Sequence, residues 1–149
     1  MNKSVWLVLM LMVTSSVFAV EGMVNIPSKF SVAVTAERFE SILNKKGMTI
    51  FAQIKHSESA AKVGISLRET ELFIFGNPKA GSPLMKCEQS IALDLPQKAL
   101  IWKDENSAVW ISYNALGYLL KRHDVKGCEK ESAKISRILD ALTTSAAGR

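Results

Sequence analysis

Two cysteines, four prolines and two histidines are all that 149 residues hold, and the tightly spaced signatures that reactive chemistry needs are missing with them. Without Cys-x-x-Cys there is no thioredoxin-type exchange motif, and without Cys-x-x-Cys-His no covalent c-type haem. No His-x-x-x-His or Met-x-x-Met spacing offers a metal two ligands on one helix face. The Gly-x-Ser-x-Gly elbow of serine hydrolases is missing. One proline-bracketed bend has the backbone to welcome an anion, but it lacks the Gly-Lys-Ser/Thr ending of a P-loop. Nothing in the chain calls for a cofactor. Repeats and low-complexity segments are missing too, and the formal net charge of +5 is mild and dispersed. Lys45-Lys46 and Lys121-Arg122 read as solvated helix ends, so nucleic acid is not expected as a partner.

What is present begins with a charged and then apolar N-terminus. Lys3 precedes the uninterrupted apolar run Val5–Val13, and Val17 and Ala19 suit the small-residue rule for cleavage. The run is too short for the roughly 20 residues a bilayer span needs. Residues 1–19 are therefore expected to be a signal peptide cleaved after Ala19, an uncleaved anchor being the alternative. The mature chain is then periplasmic or secreted and has no stable membrane span. No cysteine follows the apolar run to accept a lipid.

In an oxidising compartment an even number of cysteines suggests a disulfide. A Cys87–Cys128 bond would close a loop long enough for about 4 kcal/mol on the chain-entropy model. The alternative is two separate buried thiols acting as small apolar residues. A mature chain of this length can bury a single core without metal or several crosslinks.

Hydrophobic periodicity divides the rest. Residues 20–27 read as a lead-in, 28–143 as a single α+β domain and 144–149 as a disordered tail. Lys29–Val34 alternates as a first strand, Thr35 caps a helix with Phe39, Ile42 and Leu43 inward, and Gly47 stops it. Met48–His56 is the cleanest alternating strand, with Met48, Ile50, Ala52, Ile54 and His56 on one face, and a short helical turn, Ser57–Gly64, follows. Glu71–Phe75 is apolar on both faces, so it is expected in the middle of a sheet. It runs into Gly76-Asn-Pro-Lys-Ala-Gly-Ser-Pro83, where Ser82 and Pro83 suit the cap and first position of a helix. Leu84, Cys87 and Ile91 share that helix's stripe. Lys98–Lys103 and Ala108–Tyr113 form a hairpin across Asp104–Ser107, with Trp102 facing Trp110. Asn114 caps a helix bearing Leu116, Leu119, Leu120 and His123, and Glu129–Thr143 is a last amphipathic helix. Five strands and three to four helices, with two local antiparallel pairs, predict an α+β two-layer sandwich: a mostly antiparallel five-stranded sheet with helices on one face.

The blocks Phe75-Gly-Asn-Pro-Lys-Ala-Gly-Ser-Pro-Leu-Met85, Ala92-Leu-Asp-Leu-Pro96, Ile101-Trp-Lys-Asp104 and Val109-Trp-Ile-Ser-Tyr-Asn114 resemble the domain of unknown function 302 family over roughly Ser31 to His123. The resemblance implies a small two-layer α+β domain of the TATA-binding-protein-like class, often a homodimer, and it implies no established reaction. The helix after Cys128 lies beyond the span of the resemblance, and the signal peptide and cysteine pair look like additions of an exported member.

His56 and His123 each end an otherwise apolar face. Taken singly, each imidazole closes the rim of the core on a backbone carbonyl. Taken together, they converge with Asn77, Lys79, Tyr113 and Asn114, all at strand ends or adjoining turns where small-molecule clefts gather. The first expectation is a domain that binds a small molecule or an envelope protein in the periplasm. It is expected as a homodimer, since a monomer would have to hide Trp102 and Trp110 beneath helices. One alternative is an enzyme using His56 and His123 as acid and base while Lys79 holds an anionic substrate. Another is soft-metal (copper) handling by His56, His123, Met85 and Cys87. Ser57 and Ser82 have capping roles that account for them.

Overall fold

A computed structural model describes residues 20–149, and the expected signal peptide, residues 1–19, lies outside the described residues. Five extended stretches pair into one sheet: β1 Met23–Pro27, β2 Thr49–Lys55, β3 Thr70–Gly76, β4 Gln97–Lys103 and β5 Val109–Asn114. Their order is β1-β5-β4-β3-β2, with every neighbouring pair antiparallel. The helices are α1 Val32–Lys45, α2 His56–Ala61, α3 Pro78–Cys87, α4 Leu116–Arg122 and α5 Glu129–Ala146, with a 3-10 turn at Gln89–Leu93. The chain thus has the expected α+β architecture. Among the described residues no helix is long and apolar enough to cross a membrane.

The period of two in the strands decides which side the helices cover. Phe73, Phe75, Ala99, Ile101 and Ile111 are 0–1% exposed, whereas Leu72, Ile74, Leu100, Trp102 and Trp110, on the opposite face, stay half-buried. Phe39 of α1 locks the covered face, its ring edge-on to Phe73 at 5.4 Å and to Phe75 at 5.2 Å. Such pairs add to the area term that dominates core energetics.

Several local expectations are corrected. The Phe-rich strand β3 is interior, but β4 is the middle strand. The lead-in is in part strand β1, which pairs with β5 from Met23↔Asn114 to Pro27↔Trp110. Lys29–Val34 is not a strand. Ser31 caps α1 by accepting from Val34 N, and the helical spacing of Val32, Thr35, Ala36, Phe39 and Leu43, all buried, outweighs the short alternation before it. Thr35, expected as the cap, lies inside the helix and donates to Ser31 O at 2.7 Å.

The helix expected to open at Ser82 starts five residues earlier. Asn77 accepts from Lys79 N at 2.9 Å and Pro78 takes the first position, which leaves Pro83 inside the helix. The stripe expected to run from Leu84 to Ile91 breaks at extended Glu88, yet both residues reach the core at 0% exposure. In β2 the register shifts between Ile50 and Ala52, so Ile50 pairs with Phe75 but Ile54 with Leu72, on the other face. The segment 144–149 is packed rather than frayed. Ala146 and Ala147 are fully buried, Arg38 Nε donates to Ala146 O and Arg149 Nε to Pro27 O.

Candidate functional site

The two histidines lie at opposite ends of the sheet. His56 is exposed and opens α2 just past Lys55, which pairs with Glu71. His123 closes α4 and is bonded to Asp94, three residues before Gln97, which pairs with Phe75 at the far end of β3. The seven-residue strand between those ends spans about 20 Å. One-site acid/base chemistry needs both groups within hydrogen-bond reach of the substrate, so the expected convergence does not form.

The other expected residues scatter as well. Asn77 is occupied as the cap of α3, and Lys79 is exposed on its first turn. Asn114 ends β5 in solvent, and the cap position of α4 is Ala115. Tyr113 borders a cavity of about 270 Å³ together with Val24, Leu116 and Asp140. Burial and then the charge of Asp140 push its phenol pKa up. Of the soft-metal set, Cys87 is disulfide-bonded to Cys128 and Met85 faces a different space from either histidine. Among the described residues no three His, Cys, Asp or Glu side chains gather where a metal could be held.

His123 does have a defined setting. Its Nε2 is 2.6 Å from Asp94 Oδ2 and its Nδ1 is 3.0 Å from Ser90 Oγ, with Arg122 3.4 Å from the other Asp94 oxygen. Because a carboxylate only accepts, Nε2 carries the proton, and the chain of bonds ties the 3-10 turn to α4. Neither the Tyr113 cavity nor the one described next includes these residues.

The space that Met85 faces is an apolar cavity of about 220 Å³ between α3, α5 and the β3–β4 end of the sheet. Met48, Phe75, Leu95, Ile138, Leu139 and Leu142 supply much of its wall, and no charged residue lines it. Phe51, forced outward at the β2 register shift, stands on the rim 54% exposed. One buried polar group is out of place. Gln97 lines the cavity, is only 8% exposed, and its Nε2 has no hydrogen-bond partner. Buried donors are nearly always paired, and leaving one unpaired costs about 1–3 kcal/mol. Gln97 was not among the residues expected to matter. Its signal was legible all the same: it stands in phase with Ala99 and Ile101, a polar residue on the apolar side of a strand.

The sequence model of the family described as Domain of unknown function DUF302 matches residues 24–142. The chain belongs to that family. The match extends past the span of the resemblance and takes in Cys128 and most of α5, so this helix lies within the span of the DUF302 family rather than beyond it. A crystal structure of a conserved DUF302 protein from Bacillus stearothermophilus aligns with a TM-score of 0.76 over 86% of this chain and 99% of its own, at 16% identity. That likeness establishes the fold. Two curated relatives are named fluoride-specific ion channels: FluC 1 of Brucella suis biovar 1 (strain 1330) and FluC 2 of Brucella melitensis biotype 1 (strain ATCC 23456 / CCUG 17765 / NCTC 10094 / 16M). Each is 40% identical over 104 residues, 70% of this chain and 41% or 38% of the relative. The chain spans about two fifths of the length of these curated relatives.

Proposed function

We propose that this DUF302 chain is an exported binding domain that holds a small molecule in the cavity between α3, α5 and the sheet. The observation that carries the reading is a wall free of charge, apolar almost throughout, at the end of a sheet. Ligand pockets have this composition, a hydrophobic lining with few polar groups. Export is supported by the apolar N-terminal run and by a disulfide suited to an oxidising compartment. The Brucella relatives, whose name is that of a membrane channel, carry a similar piece, which favours an envelope setting. Channel activity is not carried over, because the shared piece is about two fifths of those proteins.

A second copy of the chain is the proposed partner. The uncovered sheet face presents Leu72, Ile74, Leu100, Trp102 and Trp110 in half-buried positions, and apolar surface of this kind is best used in contact with its own kind.

Binding is tested by titrating benzene while following the methyl resonances of Ile138 and Leu139, which are expected to shift and saturate. Gly81→Leu is the control. A Cβ at Gly81 would meet nothing closer than Leu95 Cδ1 at 3.9 Å, so the backbone has room for the change and the added side chain is expected to occupy the space. Absence of shifts in the unaltered protein removes the proposal, as does undiminished binding by a folded Gly81→Leu.

A further inference from the structure

We infer that the occupant of the cavity is a neutral, largely hydrocarbon molecule of about eight or nine heavy atoms that carries one hydrogen-bond acceptor, held by Gln97. The inference rests on the cavity being a ligand site, and it goes further by naming the ligand's class.

Three observations on the wall define that class. The first is charge. No acidic or basic side chain lines the cavity, and a buried ion without a counter-charge is strongly disfavoured. The helix end that borders it offers an anion no free backbone N–H either. Pro78 has no N–H, Lys79 N is taken by Asn77 Oδ1, and Ala80 N and Gly81 N are both taken by Asn77 O. A carboxylate therefore finds no free backbone N–H at the mouth of α3, although a helix N-terminus is otherwise a common anion site.

The second observation is the amide of Gln97. Its side chain forms part of the wall and its Nε2 is buried without a partner. Once the side chain turns its amide toward the cavity, a ketone, ester or lactone oxygen would satisfy that donor. An alkane would leave it unpaired, so the site discriminates by the penalty on the wrong ligand as much as by the bond to the right one. The third is size. A cavity of about 150 Å³ takes a benzene, and about 220 Å³ accommodates a ring with two or three further heavy atoms. Met48 and Met85 on the wall adapt to differences in outline, so polarity rather than exact shape sets the selectivity.

The test compares three probes of similar outline by calorimetry on the disulfide-intact protein: ethylbenzene, acetophenone and benzoate. Acetophenone is expected to bind, and benzoate at least tenfold more weakly. Replacing Gln97 by Leu, or by the near-isosteric Met should the first variant fold poorly, is expected to shift the acetophenone-to-ethylbenzene affinity ratio about fivefold toward ethylbenzene. In the unaltered protein the Gln97 side-chain amide resonance should move with acetophenone and not with ethylbenzene. If neither neutral probe binds, the cavity reading itself fails. If both bind and the ratio is the same in Gln97→Leu and Gln97→Met, or if benzoate matches acetophenone, the cavity stands and the inferred class is overturned.

Discussion

Cys87, the last residue of α3, is disulfide-bonded to Cys128, the N-cap residue of α5, with their Cα atoms 6.5 Å apart. These are the two helices that wall the cavity, so a single covalent bond sets their spacing at one end. Cys87 is exposed while Cys128 is 5% exposed, which leaves the bond open to a reductant from one side. Reduction, or Cys87→Ser with Cys128→Ala, is expected to lower stability by about 2–4 kcal/mol and to weaken benzene binding as α3 loosens from α5. Urea unfolding with and without reductant, run beside the benzene titration, measures both. An unchanged midpoint would mean that packing alone holds the helices.

That bond was legible because two cysteines leave a single intramolecular pairing; much else was not. The strands β2, β4 and β5 follow from local alternation and β3 from a run apolar on both faces, and the helical periods around Phe39 and Leu139 follow from local spacing. The errors came where two local signals compete. Ser31 and Thr35 both offer a hydroxyl at the start of α1, and Asn77-Pro78 and Ser82-Pro83 both offer a cap followed by proline. In each case the earlier signal won, because the longer helix buries more apolar surface. The candidate site failed for a different reason. Whether His56 and His123 share an edge depends on strand order and direction, which arise from non-local pairing and leave no trace in neighbouring residues. Gln97 was the informative exception, a polar residue in an apolar phase, and its meaning emerges only when the missing partner is seen.

Asp104 organises the β4–β5 turn. Its carboxylate accepts from Trp110 Nε1 at 2.9 Å, from Ala108 N at 2.8 Å and from Asn106 N at 2.9 Å. The Trp110 bond above all, with the two backbone bonds, holds its pKa below the ordinary carboxylate value. A depressed folded pKa means that the bonds contribute fully above the unfolded value near 4 and are lost as pH falls through the folded one. Acidification below about pH 4 should therefore release the Trp110 indole, seen as a change in its fluorescence, and lower the unfolding midpoint. Asp104→Asn should be less stable at neutral pH and show a flatter acid limb. Equal acid limbs in the two proteins would contradict this role.

Phe39 is fully buried and contacts the rings of both Phe73 and Phe75. Removing it takes away two edge-to-face contacts and leaves a void where α1 meets the sheet. Phe39→Ala is expected to cost about 3–5 kcal/mol, and Phe39→Leu clearly less, since it refills part of the space. Denaturant unfolding of the three proteins gives the order directly. Equal losses would place the anchor of α1 elsewhere.

On the uncovered sheet face both indole N–H groups are already engaged. Trp102 Nε1 donates to Ser112 Oγ at 2.8 Å, and Ser112 Oγ donates to Asn25 Oδ1 at 2.6 Å, a relay across β4, β5 and β1. Trp110 Nε1 is taken by Asp104. Trp102 and Trp110 are cross-strand partners, and Leu100 sits between Leu72 and Ser112 in the register. Because the indoles need nothing from water, what this face presents is its rings and the neighbouring leucines. A second copy covering it would withdraw that surface without stranding either indole N–H, a condition an isologous interface has to meet. Sedimentation at micromolar concentration is expected to show a dimer. Leu100→Lys should then sediment as a single chain with its far-UV spectrum intact, because position 100 points away from the helices and a charge there is tolerated only when the face is wet. A single-chain mass for the unaltered protein would leave the two tryptophans as solvent-facing stiffeners of the hairpin and remove the second copy from the proposal.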